Sequence, residues 1–255
     1  MQIAFKNEMI SDEESSVFWG LTFTAGEPGV VVNMRKTGSP DAVSLEYCLG
    51  SLDWTDDSNW NTFDADNETT PITLTNAGDK VYFRAGASGN TRLSTNDSNC
   101  RTFVIRGSTG AGGNIMSLLA RNEADWQSVQ MGAYCFFQLF YGCTSLTSAP
   151  ELPATILADS CYADMFREGG TFVTAPALPA PILAPGCYTS MFWMCENLNA
   201  VTVGFSDWNE ANYSTFDWLT ATSSRGTFAC PAALDTTTRT DSTVPEGWTV
   251  VTVSS

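Results

Sequence analysis

Histidine is absent from the 255 residues, which removes the commonest general base and metal ligand. The Ser-His-Asp and Cys-His nucleophile arrangements go with it. What remains for chemistry is oxygen, sulfur and aromatic rings. The segment "DWTDDSNWNTFDADNE" (53–68) gathers Asp53, Asp56, Asp57, Asp64, Asp66 and Glu68. Hard oxygen ligands in a loop suit a calcium ion, but the order and central glycine of a helix–loop–helix calcium site are missing, so a solvated turn is the plainer reading. Trp54 and Trp60 in that segment could stack on sugar rings or pack across a hairpin. A second aromatic group, "FSDWNEANYSTFDW", carries Trp208, Tyr213, Phe216 and Trp218. It reads as packing of a closing coil, with an exposed anchor patch as the alternative. Two of the 28 acids could form a glycosidase pair, yet no pair stands out. The stretch "RGSTGAGGN" (106–114) lacks the lysine of a phosphate loop and reads as a linker. No enzyme and no cofactor is expected.

The eight cysteines offer neither a CxxC pair nor a histidine partner for zinc. Cys135, Cys161 and Cys187 recur every 26 residues and read as small buried hydrophobes. Cys48 and Cys100 stand apart and could bridge two sheets, a question the sequence leaves open.

That interval leads to the elements that hold these side chains. Three registers align, 135–160, 161–186 and 187–212, and fixed periods of this length mark stacked repeats. Aromatics recur as Phe136/Phe140, Tyr162/Phe166 and Tyr188/Phe192; a spacing of four predicts one face of a short helix. Leu146, Phe172 and Leu198 form a second apolar column, and Leu152, Leu178 and Val203 a third. The prolines of "APELPA" and "APALPA" mark extended or turn segments. Each unit therefore reads as a short helix, a turn and an extended piece, whose inward side chains meet those of the next unit.

From about 17 to 106 the pattern is different. "VFWGLTFT", "GVVVNMR", "VSLEYC", "PITLT", "KVYFRA" and "TFVIRG" alternate or are β-branched, with Gly, Asn, Asp and Pro clusters between them. These predict an antiparallel, immunoglobulin-like β-sandwich. The expected organisation is an arm (1–16), the sandwich (17–106), a linker and first cap (107–134), three repeats (135–212) and a closing β cap (213–255). The expected class is mainly β, with a short α/β leucine-rich-repeat solenoid.

The net charge of −16 argues against nucleic acid and against anionic lipid. No run is long enough for a membrane helix. The opening residues lack the layout of a secretory signal, so a chain kept inside a cell, released by lysis or processed is expected. Residues 107–204 hold only two basic side chains, Arg121 and Arg167, which suits neutral hydrogen-bonding partners.

The phrase "YGCTSLTSAPELPATILADSCYADMF" resembles BspA-type leucine-rich repeats in their Cys-Tyr-x-x-Met-Phe variety. The second unit departs at "REGGTFVTAP", and the third loses its prolines. The segments "LTFTAGEPGVVVNM" and "KVYFRAG" resemble the β-domain that precedes such repeats in gut Bacteroidales and their phages. The resemblance implies surface display and adhesion without catalysis. The expectation is a phage structural protein, a head-fibre, decoration or tail-fibre component on the virion surface. It would dock on other virion proteins through its N-terminal part, present the stack to a host glycan or protein, and be open to homo-oligomerisation. The alternative is a bacterial cell-surface adhesin; a glycan-cleaving enzyme is the remote one.

Overall fold

The computed structural model describes residues 18–253; the expected arm falls outside them. The described residues are mainly β, with four short 3-10 turns and several sheets among them, none of them closed. Twelve strands follow in order: β1 Thr22–Ala25, β2 Val30–Thr37, β3 Leu45–Leu49, β4 Asn61–Phe63, β5 Ile72–Leu74, β6 Lys80–Ala85, β7 Cys100–Arg106, β8 Thr109–Gly112, β9 Leu146–Ser148, β10 Ala200–Thr202, β11 Gly226–Pro231 and β12 Trp248–Val253. Among the described residues, no helix is long and apolar enough to cross a membrane.

Two sheets build the front of the molecule. One runs β4-β3-β6-β1-β8-β9 and the other β5-β2-β7. Alternation explains their pairing: β1 turns Phe23 and Ala25 inward and Thr22 and Thr24 outward, as a half-buried strand requires. Phe103 of the second sheet meets Phe23 at 5.0 Å and Phe83 at 5.5 Å, both edge to face. Edge-to-face contact between ring quadrupoles adds about 0.5–1.5 kcal/mol per pair to burial.

The glycine-rich stretch expected to be a linker is instead structural. Thr109–Gly112 forms β8, hydrogen-bonded to β1 on one side and to β9 on the other. Small residues gave no hydrophobic signal there, but they are what a strand needs when both neighbours and its outer surface are crowded or must stay clear.

The repeats correct a second expectation. No helix forms at the three aromatic motifs; each is a ribbon of consecutive turns. Every fourth residue takes a left-handed backbone: Tyr134, Gln138 and Gly142, then Ser160, Asp164 and Glu168, then Gly186, Ser190 and Met194, all with φ between 49° and 69°. From Phe136 to Cys143 the amides alternate in direction. Those of Phe137, Leu139, Tyr141 and Cys143 donate to the carbonyl three residues back, and those of Phe136, Gln138, Phe140 and Gly142 donate to carbonyls 25 residues ahead. All these donors are satisfied without a helix. A spacing of four places two rings on one face of this ribbon just as it would on a helix, so the periodicity could not separate the two. Left-handed non-glycine residues cost about 1–3 kcal/mol each unless their surroundings hold them; here the next coil's carbonyls do so.

The interior is a set of columns. Phe103, Phe140, Phe166 and Phe192 stack at 5.5, 5.3 and 5.6 Å, with ring planes within 14°. Phe136, Tyr162, Tyr188 and Trp218 make a second column at 5.6, 6.0 and 6.2 Å. Cys135, Cys161 and Cys187 lie beside them, together with Leu146, Phe172 and Leu198 and with Leu152 and Leu178, all buried. The Leu178–Val203 register expected from the third column is present as a parallel bridge.

The first coil and the closing aromatic core of the stack are both covered. The Leu93 and Phe103 amides donate to Cys135 and Leu139 carbonyls, so the front sheets close the first coil. At the other end Trp218 is fully buried and its indole N–H donates to Thr243 O at 3.0 Å. One contiguous apolar core runs from Leu21 to Trp248, so the front and the stack are joined through their interior.

Candidate functional site

A groove of about 1050 Å³ lies on the outer face of the longer front sheet. Its floor comes from strand register: Tyr82, Thr22 and Gly112 form one cross-strand row, and Lys80, Thr24 and Gly110 the next, with Ser148 of β9 beside Gly110. Nothing lies within 4 Å of where a Cβ on Gly112 would stand, so its lack of a side chain leaves the floor clear. Aromatic rings line it: Phe18, Trp19, Trp54, Tyr82 and Trp126, joined by Asn114, Gln127, Glu123, Glu151 and Pro153. A volume near 1000 Å³ is at the upper end for ligand clefts, which combine apolar surface with a few placed polar groups.

Trp54 is held in place from below. Phe18 meets it edge to face at 5.3 Å and meets Trp60 at 5.5 Å. The Trp60 indole N–H donates to Trp54 O at 2.8 Å, and the Arg84 guanidinium sits over the Trp60 ring at 3.9 Å. Arg84 also donates to Glu46 at 2.8 Å and Asp57 at 2.7 Å, while Arg121 holds the same two carboxylates. Two arginines, two carboxylates and one indole thus pin the 50–60 loop to β3 and β6. The hydrogen bond from Arg84 holds the Asp57 carboxyl below its ordinary range. Burial, with the nearby Cys48, pushes the Tyr82 phenol upward.

Four other acids of the loop read as a calcium candidate, Asp53, Asp56, Asp64 and Asp66, are occupied. Asp53 accepts from Thr55 and Asp56 from the Ser58 amide. Asp64 caps the Asp66 amide, and Asp66 pairs with Lys36 and Arg101. The Asp66 carboxyl is raised by burial, but the bonds from Lys36 and Arg101 outweigh this and leave it lowered. Among the described residues no group of three or more His, Cys, Asp or Glu is gathered that could hold a metal ion.

The expected contact residues separate. Trp54 lines the groove and Trp60 supports it. Trp208 and Trp218 are interior, their indoles bonded to Asp235 O and Thr243 O. They belong to the closing core and not to an anchor patch. Tyr213 is 66% exposed and Phe216 47%, edge to face at 5.9 Å, beside a cavity of about 350 Å³ lined with Thr238, Thr240 and Ser242. All eight cysteines are free and buried, Cys48 and Cys100 included. Burial pushes the Cys143, Cys187 and Cys195 thiols up to about 12, which makes them inert packing groups.

Sequence reasoning missed Phe18, Trp19, Tyr82 and Trp126. The first three stand in segments read only as strands, and Trp126 in a segment read as linker and cap. The available signal was the outward row of Thr22 and Thr24 with two glycines in "TGAG", which marks a sheet face kept free of bulk.

Compared with protein-family models, curated proteins and solved structures, the chain matches none.

Proposed function

We propose that this chain is a non-enzymatic attachment protein that seats a host-surface glycan in the groove lined by Trp19, Trp54, Tyr82 and Trp126. The carrying observation is that groove: aromatic faces beside Thr, Ser, Asn and Gln side chains and two carboxylates. A pyranose offers an apolar C–H face to a ring and hydroxyls at its rim to such polar groups. Rigid aromatics are also the residues that binding hot spots favour. The paired front sheets are read as an immunoglobulin-like sandwich, and the coils as a short leucine-rich-repeat stack that serves as the stalk.

The repeat phrase supports display on a phage particle, as a head-fibre, decoration or tail-fibre component, because its resemblance is to BspA-type surface proteins and their phage counterparts. In this reading the front groove faces the host, in place of the stack that the sequence alone assigns to that task, and the far end of the stack is left to meet other virion proteins. A bacterial cell-surface adhesin uses the same groove on a different carrier. A glycan-cleaving enzyme would need Glu123 and Glu151 as its carboxylate pair.

Three readouts separate these. Binding to a glycan array should be weakened in Trp54→Ala and in Trp126→Ala and lost when the two are combined. Mass spectrometry should find the chain in stoichiometric amounts in purified particles; its presence in an outer-membrane fraction instead would move the carrier to a cell. Turnover of a bound glycan that Glu151→Gln abolishes would make it an enzyme.

A further inference from the structure

A parallel ladder runs the length of the stack and ends on a bare strand. It passes from β8 to β9, through the Leu146–Thr171 and Val173–Ala200 hydrogen bonds to β10, and on to β11 and β12. β12 pairs with β11 over all six of its residues, from Trp248 opposite Gly226 to Val253 opposite Pro231. Among the described residues no strand lies on its other side; Arg239 donates to Trp248 O at 3.3 Å and covers only the first residue. Val251 and Val253 are 44% and 37% exposed.

Natural edges are blunted by shortness, by lysine, by proline or by a bulge. β12 has none of these: "WTVVTV" is six residues long, uncharged and in regular register. The other edges differ. β4 and β5 are three residues each, and β4 is flanked by the acids of the 53–68 loop. The outer side of β7 is taken, since its Phe103 amide donates to Leu139 O.

We propose that β12 is a self-association edge that pairs with β12 of a second copy, antiparallel across a two-fold axis. Another β12 is the one uncovered edge of matching length among the described residues. It is also a place where two chains of net charge −16 can meet with no like charges directly opposite, which cross-strand pairing penalises. The contact is isologous, so it closes at two copies instead of growing into a filament. It continues the parallel ladder of each stack across the axis and gives a particle two grooves per unit, with the avidity that linkage brings. A single strand pair falls below the standard interface size, so a weak, reversible dimer is expected.

Sedimentation velocity of the full chain, from roughly micromolar to submillimolar concentration, tests this. The wild type and Val251→Thr should both dimerise. Val251→Glu places two carboxylates near the axis and should weaken the dimer by about tenfold or more, with the melting temperature unchanged. Should Val251→Glu misfold, Val253→Glu at the strand's end gives the same reading. A wild type that stays monomeric throughout, or glutamate variants that dimerise as well as wild type, overturns the proposal.

Discussion

The stack and the front of the molecule solve opposite problems with the same aromatic residues. In the stack, Phe140, Phe166 and Phe192 are fully buried and stacked on one another. Charges are sparse, and the described ion pairs there are those of Arg167 with Asp164 and Glu168. At the front, Trp54 and Trp126 reach a surface groove, and the loop that carries Trp54 is tied down by Arg84, Arg121, Glu46 and Asp57. An aromatic repeated at that interval meets its own copy, and that contact consumes its surface, although Ile156 and Ile182, also 26 residues apart, stay exposed. A residue that stands outside the repeat has no copy to meet and can face a ligand. For the aromatic columns repetition marks packing, and the groove proposed for recognition lies where the repetition is absent.

The largest expected effect breaks the stack. Phe166→Ala removes a ring held between Phe140 at 5.3 Å and Phe192 at 5.6 Å. Urea unfolding should show a loss of about 3–5 kcal/mol, the usual cost of such a truncation in a packed core. A loss below about 1 kcal/mol would mean that the column is not what holds the coils together.

The groove responds to a different measurement. Trp54→Ala and Trp126→Ala should each weaken glycan binding by about tenfold or more, as truncated hot-spot aromatics do, while urea midpoints stay close to wild type. Equal losses of stability and binding would erase the distinction between the two regions.

Acid should also separate them, and with opposite sign. Asp57 and Asp66 at the front are lowered in the folded state, so their stabilisation is present above the unfolded value near 4 and is lost as pH falls through the folded values. Asp164 in the stack is raised, chiefly by burial against the pull of Arg167. Its native state therefore takes up a proton first and gains stability as pH falls toward that of the unfolded chain. Hydrogen exchange at pH 3 against pH 6 should show the 50–68 loop opening while the coils at 160–168 stay protected. Uniform loss of protection would contradict this.

The smallest change sharpens the stack's chemistry. The Tyr162 hydroxyl is buried without a hydrogen-bond partner among the described residues, and the column has phenylalanine at the preceding level, Phe136. Tyr162→Phe should be neutral or stabilising by about 1 kcal/mol, since it removes an unsatisfied buried group. Marked destabilisation would reveal a partner for that hydroxyl.

The legibility of the sequence followed the same division. Every repeat-core residue inferred from the 26-residue interval is buried, because a copy of each residue constrains the others. The helix was misread because a turn ribbon and a helix share a spacing of four, and most of the left-handed positions fall on residues such as Gln138, Asp164 and Met194, with glycine only at Gly142 and Gly186 to announce them. The groove was scarcely legible. Thr22 and Gly112 become neighbours only through the pairing of β1 with β8, and Trp126 reaches them from a segment with no periodicity of its own. Trp54 was singled out by its type alone; what fixes the loop that brings it to the groove is Arg84 over Trp60, a contact between side chains 24 positions apart.

The central claim is that recognition sits in the irregular groove and not on the repeats. A glycan array probed side by side with wild type, Trp54→Ala/Trp126→Ala and Ile182→Ser, an exposed position on the stack, tests it most directly. The account predicts that wild type and Ile182→Ser bind the same glycans and that the double variant binds none. Retained binding by the double variant, loss in Ile182→Ser, or no binding by wild type would contradict it.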